Sequence, residues 1–112
     1  MLEALKAECI DYANLGGSAQ EIKAAAAIAA AADVPVWVQM GGVCLGVLAA
    51  YSVHLQATIA NAVLPCDELP FVRATDVLGG SLALDKGHFA VPQGPGLGVE
   101  LDMEVVERYR VA

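Results

Sequence analysis

Two glycine pairs, Gly16–Gly17 and Gly41–Gly42, each follow a short apolar segment and precede a segment with helical patterning. The segment before the second pair, Val34–Met40, is rich in β-branched residues, which is typical of a strand buried on both faces. The order strand, Gly-Gly, helix therefore occurs twice in succession. Repeated βα units build parallel sheets, so the repeat predicts an α/β fold such as a (β/α) barrel.

The first predicted unit has a strand at Cys9–Asn14 and a helix from Ser18 to Ala32. Ser18 and Glu21 have the spacing of a capping box, which marks the start of that helix. In the second unit, apolar and small residues recur at helical spacing on one predicted helix face. They are Leu48, Tyr51, Ser52, Leu55 and Ile59. A further apolar segment, Val63–Leu69, predicts a third strand and completes a βαβαβ unit over residues 1–69.

The remaining residues, 70–112, predict a different kind of structure within the same single domain. Ser81–Val91 is patterned as a β-hairpin with Gly87 in its turn. A Gly- and Pro-rich loop follows at Pro92–Gly98. Asp102 is the predicted N-cap of a closing helix whose apolar face comprises Val105, Val106 and Tyr109. A short helix is also predicted at the start of the chain, at Leu2–Ala7.

The composition indicates that part of the surface is covered by other protein. Charged residues make up 17% of the 112 residues, against about 25% in an average soluble protein. A small domain has a large surface for its volume and needs more charge than average, not less. We therefore expect either more of the same fold, from a companion chain, or a homo-oligomer.

The charge and cysteine patterns exclude several classes of function. The net charge is −7 and the six basic residues are not clustered, which argues against nucleic acid and anionic membranes as partners. The three cysteines lack a CxxC pair, so neither a disulfide framework nor a zinc site is predicted, and a reducing, cytoplasmic location is favoured. The first residues do not have the pattern of a signal peptide.

A membrane span is the alternative interpretation of the uncharged stretch between Val34 and Cys66. The stretch is long enough to cross a bilayer. However, polar residues lie within it, Gly41–Gly42 and Pro65 interrupt it, and flanking basic residues are absent. The interior of a barrel explains the stretch better.

Several segments resemble the enolase superfamily, in its mandelate racemase/muconate lactonizing enzyme branch. Gly87–Asp102 is the most specific of them and is similar to the C-terminal segment of that family. The other segments resemble the sixth strand and its turn, the helix after strand seven, and the end of strand eight. They are Asp11–Asn14 with Gly16–Gly17, Ala49–Asn61, and Asp67–Leu69. The resemblance covers nearly the whole chain but only the last third of a full-length member.

The resemblance implies a fold and a chemistry. Members are (β/α)₇β barrels that bind Mg²⁺ and abstract a proton next to a carboxylate, giving racemases, cycloisomerases and dehydratases, which are isomerases and lyases. The metal neutralises the charge that develops on the enediolate. The family's metal ligands lie on strands three to five, before the matched segment. The resemblance therefore implies Mg²⁺ for the full-length family, and no metal is expected to bind this chain alone.

Six residues are candidates for the site. The resemblance places Gln39 where the racemase subgroup has a catalytic histidine, and Asn14–Leu15 where another subgroup has a lysine. Asp67 and Glu68 follow the predicted third strand, and the ends of parallel strands are where such folds gather functional groups. These three side chains, Gln39, Asp67 and Glu68, are the predicted catalytic groups. Asn14, Gly41 and Gly42 are the predicted ligand-binding residues, the glycines by allowing close approach to the backbone.

The sequence thus predicts a partial (β/α) TIM-type barrel, comprising about strands six to eight and two helices, followed by a hairpin and a short helix. Its ligand would be a carboxylate-bearing small molecule once the barrel is complete. The isolated chain is expected to be inactive, because it has neither the metal ligands nor a recognisable base. The alternative is a small self-associating α/β module with a structural or ligand-binding role.

Overall fold

A computed structural model describes residues 1–40, 44–67 and 73–111 of the chain. Helices and strands alternate through the first part of these ranges, and a hairpin and a last helix follow. In chain order the elements are α1 (Leu2–Lys6), β1 (Ala13–Leu15), α2 (Ala19–Ala30), β2 (Val36–Val38), α3 (Gly46–Ala57), β3 (Leu84–Asp85), β4 (His88–Phe89) and α4 (Met103–Arg108). The described residues divide into two compact units, the first within 1–39 and 55–67 and the second within 40–54 and 68–112.

The first unit is built on the pairing of β1 with β2. The two strands are parallel, and Asn14 lies opposite Trp37 in the register. Ala13 N donates to Pro35 O at 3.1 Å at one end of the ladder, and Gln39 N donates to Leu15 O at 2.9 Å at the other. The parallel pairing predicted from the repeated βα units is confirmed for β1 and β2.

Helix α2 covers one face of this parallel pair. Ser18 caps its N-terminus in the predicted capping box, in which Glu21 N donates to the Ser18 hydroxyl and Ser18 N donates to the Glu21 carboxylate. The buried residues of α2 are Ile22, Ala26 and Ala29, and those of the strands are Leu15, Val36 and Val38. Alanines at two of the three helical positions let the helix lie close to the strands.

Both strands are shorter than predicted, because the chain first has to end the preceding helix. After α1, Glu8 adopts a positive φ of 52°, and Cys9 N donates to Ala4 O at 3.0 Å. After α2, Asp33 has a φ of 54°, and Val34 N donates to Ala29 O at 3.0 Å. Both turns satisfy carbonyls at a helix C-terminus, so Cys9 and Val34 belong to caps rather than to strands.

The predicted third strand does not form as such in its described part, residues 63–67. The segment does approach β2, since Val36 N donates to Asn61 O at 2.9 Å and Leu64 N donates to Val36 O at 3.4 Å. Further on, the side chain of Gln56 intervenes: its Oε1 accepts from Val38 N at 2.8 Å and its Nε2 donates to Leu64 O at 3.3 Å. Pro65 has no N–H to extend a ladder. Residues 68 and 69 lie outside the described residues.

The buried side of helix α3 matches the predicted helix face only in part. Of the five residues on that predicted face, Ser52 and Leu55 are buried, Tyr51 is half-buried, Leu48 is 48% exposed, and Ile59 lies beyond the helix end. The other buried positions are Ala49, Ala50 and Val53. Apolar residues occur on every side of this uncharged helix, so spacing alone does not identify the side that packs.

The second unit contains the hairpin and the last helix. Strands β3 and β4 are antiparallel, with Leu84 opposite Phe89. Lys86 and Gly87 form the turn with positive φ angles of 48° and 82°, as expected for a type I′ turn. Asp102 caps α4, as predicted, by accepting from the backbone of Glu104 and Val105.

On α4, Val105 and Val106 are half-buried, whereas Tyr109, assigned to the same apolar face, is 60% exposed. Tyr109 is the C-cap residue and follows the last residue of the helix, Arg108. No helix within the described ranges has the length and apolarity needed to cross a membrane.

Candidate ligand-binding face of the parallel sheet

Within the described ranges, helix α2 packs on only one of the two faces of the parallel pair. Side chains alternate along a strand, and α2 occupies the face that contains Leu15 and Val38. The opposite face, called the open face below, comprises Tyr12, Asn14, Trp37 and Gln39. Asn14 and Gln39 are exposed and Trp37 is half-buried.

Two of the predicted site residues therefore lie on one surface of the parallel pair: Asn14 is the middle residue of β1, and Gln39 follows β2 at the carboxyl-terminal edge. Asn14 is opposite Trp37 in the register, and Gln39 follows Trp37 by two residues. This edge is where α/β folds carry their ligands.

Gln39 lies across the backbone of Gly16. A Cβ atom built on Gly16 would be 2.8 Å from Gln39 Oε1, closer than such atoms pack. Glycine at position 16 thus leaves room for the amide of Gln39 at the end of β1. In the sequence, Gly16 was interpreted only as part of a turn. In the structure, its missing side chain also allows the Gln39 amide to approach the backbone.

The two aromatic side chains of the open face contact one another. The ring centroids of Tyr12 and Trp37 are 5.9 Å apart with planes inclined at 43°, a separation typical of favourable aromatic pairs. Tyr12 precedes β1, Trp37 shares the middle register position with Asn14, and Gln39 follows β2 at its carboxyl end. The open face thus changes from aromatic to amide side chains in the direction of the carboxyl ends.

Asn14 and Gln39 supply hydrogen bonds without charge. Each amide presents two N–H donors and a carbonyl acceptor, and neither titrates. They can orient oxygen atoms of a ligand, but they cannot take a proton from carbon. Asp67 is exposed and ends the described segment that approaches β2, while Gly41, Gly42 and Glu68 lie outside the described residues.

Comparison with known proteins decides the family. The Enolase C-terminal domain-like family matches residues 1–105 of the 112. The chain belongs to this family. The Enolase C-terminal domain is part of a TIM-type barrel, and the resemblance found in the sequence is thereby confirmed.

Curated relatives match along most of this chain but along little of their own length. The N-succinylamino acid racemase of Thermus thermophilus is 35% identical over 99 residues, which are 86% of this chain and 26% of that protein. The chloromuconate cycloisomerase of Pseudomonas putida is 30% identical over 115 residues, covering 96% and 30%. A probable glucarate dehydratase of Streptomyces coelicolor is 42% identical over 60 residues, covering 54% and 14%.

A crystal structure shows the same relation. The enolase of Mycobacterium smegmatis, complexed with formate and acetate, superposes with a TM-score of 0.81 at 27% identity, covering 95% of this chain and 26% of that one. The chain therefore matches between 14% and 30% of the length of these relatives.

The described part of this Enolase C-terminal domain does not offer a site for Mg²⁺. Within residues 1–40, 44–67 and 73–111, no three His, Cys, Asp or Glu side chains come together in a way that could hold a metal ion. Mg²⁺ prefers several oxygen ligands in near-octahedral geometry, and the amides of the open face are not such a set. The residues described here do not fit the metal that the family implies.

Polar side chains in the uncharged stretch have structural roles that the sequence did not indicate. Gln56 bridges β2 and Leu64, as described above. Asn61 Nδ2 donates to Ala26 O at 3.2 Å and to Val34 O at 3.1 Å, tying α2 to the start of β2. The signal was present as polar residues isolated within an apolar stretch, but their partners are up to 35 residues away in sequence.

The second unit contains a separate small pocket of about 170 Å³ beside the start of α3. Its polar groups bind one another. Arg73 Nε is 3.1 Å from Asp76 Oδ2, and that carboxylate accepts from Gly46 N at 3.0 Å and from Leu78 N at 3.1 Å. An arginine donor also reaches Cys44 O. This ion pair fixes the N-terminus of α3.

Proposed function

We propose that this chain forms the closing βα units of an enolase-superfamily (β/α) barrel. In the proposed barrel, the complete protein removes the proton next to the carboxylate of a small substrate. Racemisation, cycloisomerisation or dehydration then follows. The relatives named above span all three outcomes. The observation that carries the proposal is the parallel pairing of β1 and β2, which brings Asn14 and Gln39 to one face.

The proposed role of these amides is to hold the substrate, not to perform the proton transfer. An amide donor close to a carboxylate oxygen fixes its orientation, and positioning of this kind accounts for a large part of a reaction barrier. Tyr12 and Trp37 would contact the apolar body of the substrate. Asp67, with Glu68, is proposed to lie at the mouth of the barrel and to hydrogen-bond the substrate as well. The base itself is proposed to come from another part of the barrel.

A graft tests the proposal. The segment of the Thermus thermophilus racemase that matches this chain is replaced by the full chain, and exchange of the substrate α-proton in D₂O is followed by NMR with an N-succinylamino acid. Exchange requires only one base and does not depend on which product forms. We expect measurable exchange in the graft and a decrease of about tenfold or more in Gln39→Ala, on the scale of one lost positioning contact.

Gln20→Ala is the matched control, because Gln20 is an exposed amide on α2 and its loss should leave the exchange rate unchanged. A folded graft without exchange would contradict the proposed chemistry. The isolated chain is expected to be inactive and to give no saturable heat on calorimetric titration with Mg²⁺. A one-to-one magnesium site in the isolated chain would overturn that part of the proposal.

A second candidate is a self-associating module without catalytic function. The observation that favours it is the exposure of Leu45, Val47 and Leu48 at and near the start of α3, at 53%, 39% and 48%. An exposed apolar patch often marks a protein–protein contact. The oligomeric state in solution, taken up in the Discussion, distinguishes this candidate from the first.

A further inference from the structure

The four described side chains of the open face include no base. Asn14 and Gln39 are amides, Trp37 is an indole and Tyr12 is a phenol. Amides and indoles do not take up a proton at neutral pH, and a phenol is a poor base there. Tyr12, moreover, precedes β1 and so lies away from the carboxyl-terminal edge. The groups that this face brings to that edge are therefore unable to remove a proton from carbon.

The amide of Gln39 lies at the edge where barrels of this type carry their reactive groups. Gln39 N donates to Leu15 O at 2.9 Å, so its backbone is fixed at the carboxyl-terminal end of the β1–β2 ladder. Its Oε1 would lie 2.8 Å from a Cβ atom on Gly16, so the amide extends across the end of β1. The side chain is exposed and is therefore accessible to a ligand.

Helix α2 indicates which side of a substrate this face meets. In a (β/α) barrel the helices form the outer ring, and α2 packs on the face that contains Leu15 and Val38. In the proposed barrel the open face consequently points inward, toward the inward-facing side chains of the opposite strands. A substrate between them has the amides of Asn14 and Gln39 on one side and the rest of the barrel on the other.

The type of proton transfer at carbon depends on which sides of the substrate carry a base. Racemisation moves a proton from one side of the α-carbon to the other, so it requires an acid–base group on each side. Elimination of a group from the neighbouring β-carbon, or the reverse addition, requires the α-proton to move on one side only. A site with amides on one of its two sides supports the second type of reaction and not the first.

We infer that proton transfer at the completed site takes place on one side of the substrate only, so that the reaction is a β-elimination or its reverse and not a racemisation. This inference rests on the proposed function. The substrate class is a small carboxylate with an oxygen leaving group on its β-carbon, and Gln39 donates an N–H to a substrate oxygen.

The electrons and protons of this reaction balance with one base. The base, from the remaining barrel, takes the α-proton, and the electrons of the C–H bond form a double bond to the β-carbon. The bond between the β-carbon and the leaving oxygen breaks with its electron pair. A hydroxyl leaves as water with the proton of the base, whereas an acyloxy group leaves as a carboxylate and the base releases its proton to solvent.

The Thermus thermophilus graft described above distinguishes the two types of proton transfer. The two enantiomers of N-succinylvaline, which has no leaving group, are incubated separately in D₂O. NMR measures loss of the α-proton, and chiral chromatography measures conversion to the other enantiomer. We expect one enantiomer to exchange with its configuration retained. The other should exchange at least about a hundredfold more slowly, on the scale of one missing acid–base group.

A pair of substitutions tests the position of Gln39. Gln39→His places an imidazole at the edge, and imidazole takes up and releases a proton near neutral pH. The slow enantiomer should then exchange at least about tenfold faster, and the two enantiomers should interconvert. Gln20→His is the matched control, because it adds the same imidazole at an exposed position of α2 and should change neither rate.

The contrary outcomes separate this inference from the proposed function. Interconversion of the enantiomers by the unsubstituted graft would overturn the inference, and its loss in Asp67→Asn would identify Asp67 as the second base. A folded Gln39→His graft without any gain would overturn the position of Gln39 opposite the base. Exchange of neither enantiomer in a folded graft would reject the proposed function instead.

A second host provides a test that does not depend on folding of the racemase graft. In the chloromuconate cycloisomerase of Pseudomonas putida, the segment that matches this chain is replaced by the full chain, and consumption of chloromuconate is measured. Cycloisomerisation joins an oxygen to the β-carbon and requires a proton on one side only, so we expect turnover. A folded second graft without turnover, or two grafts that do not fold, would overturn the inference.

Discussion

Ser18 and Glu21 form the first turn of α2 through reciprocal bonds. Ser18 Oγ donates to Glu21 Oε2 at 2.7 Å, and Ser18 N donates to the same oxygen at 2.8 Å. The Ser18 hydroxyl, and after it the Ser18 backbone N–H, hold the pKa of Glu21 below its usual value. Sequence predicted this contact because both partners lie within four residues, where spacing alone fixes geometry.

The lowered pKa of Glu21 predicts a pH dependence of stability. A carboxylate with a lower pKa in the folded than in the unfolded chain stabilises the fold above the unfolded pKa, and this stabilisation is lost as the pH falls through the folded pKa. Between pH 7 and pH 3 we expect the free energy of unfolding to fall more for the native chain than for Glu21→Gln. Chemical denaturation at a series of pH values measures it. Identical pH profiles of the two proteins would show that the capping box of Ser18 and Glu21 does not contribute to the free energy of unfolding.

Gln56 is a residue whose role the sequence did not reveal. Its side chain takes the place of a strand between Val38 and Leu64. Val38 is 1% exposed, so Gln56→Leu would leave a buried N–H without its acceptor. The expected loss of stability is about 1–3 kcal/mol, measured by urea denaturation.

Gln93→Leu is the matched control for Gln56→Leu. Gln93 is exposed and its amide bonds only to the nearby Val91 O. The same chemical change there should stay within about 0.5 kcal/mol. Equal effects at the two sites would mean that Gln56 does not bridge the two segments in solution.

His54 connects one element of the second unit to another. It lies in α3, and its Nε2 is 3.0 Å from Leu97 O in the Gly-rich loop. That loop is folded tightly on itself: a Cβ on Gly98 would lie 2.7 Å from Pro92 Cβ, and Gly98 has a φ of 66°. Helical spacing could not predict this contact, because the carbonyl that His54 contacts is 43 residues away in sequence.

Replacing His54 should loosen the loop while leaving α3 in place. His54→Leu loses one hydrogen bond of about 0.5–1.5 kcal/mol. We therefore expect amides of residues 92–98 to exchange roughly threefold to tenfold faster, which hydrogen-exchange mass spectrometry resolves. His88→Leu is the control, since His88 bonds only within its own turn, to Lys86 O, and should leave the loop unchanged. Similar amide exchange of residues 92–98 in the two variants would show that His54 does not anchor the loop.

Helices and turns were predicted correctly where capping or turn residues lie close together in the sequence. Predictions failed where the structure depends on contacts between residues that are distant in sequence. Helix starts at Ser18 and Asp102 followed from their capping side chains, and the hairpin turn followed from Gly87. The third predicted strand was wrong in its described part, since Gln56 interrupts the ladder and Pro65 cannot continue it. The buried side of α3 likewise depends on the segments that pack against it, and helical spacing alone does not predict those segments.

The molecule combines a low charge density with a net charge of −7. Its exposed apolar residues favour association, whereas like charges on two copies oppose it. The composition alone indicated this balance between apolar attraction and charge repulsion. It did not indicate which surface associates. The family was identified separately, from motifs.

Association of the isolated chain should therefore depend on salt. The Debye length falls from about 10 Å at 0.1 M salt to about 3 Å at 1 M, so added salt screens the repulsion between copies while the apolar attraction persists. Light scattering coupled to size exclusion should show a larger mass at 1 M than at 0.1 M NaCl. Leu48→Glu on the exposed side of α3 should suppress the increase, whereas Ala27→Glu, which adds the same charge at an exposed position of α2, should reduce it less. A mass that stays that of the monomer at both salt concentrations, or equal suppression by the two variants, would exclude the apolar patch of α3 as the associating surface. A stable dimer at every salt concentration would favour the self-associating module over the barrel segment.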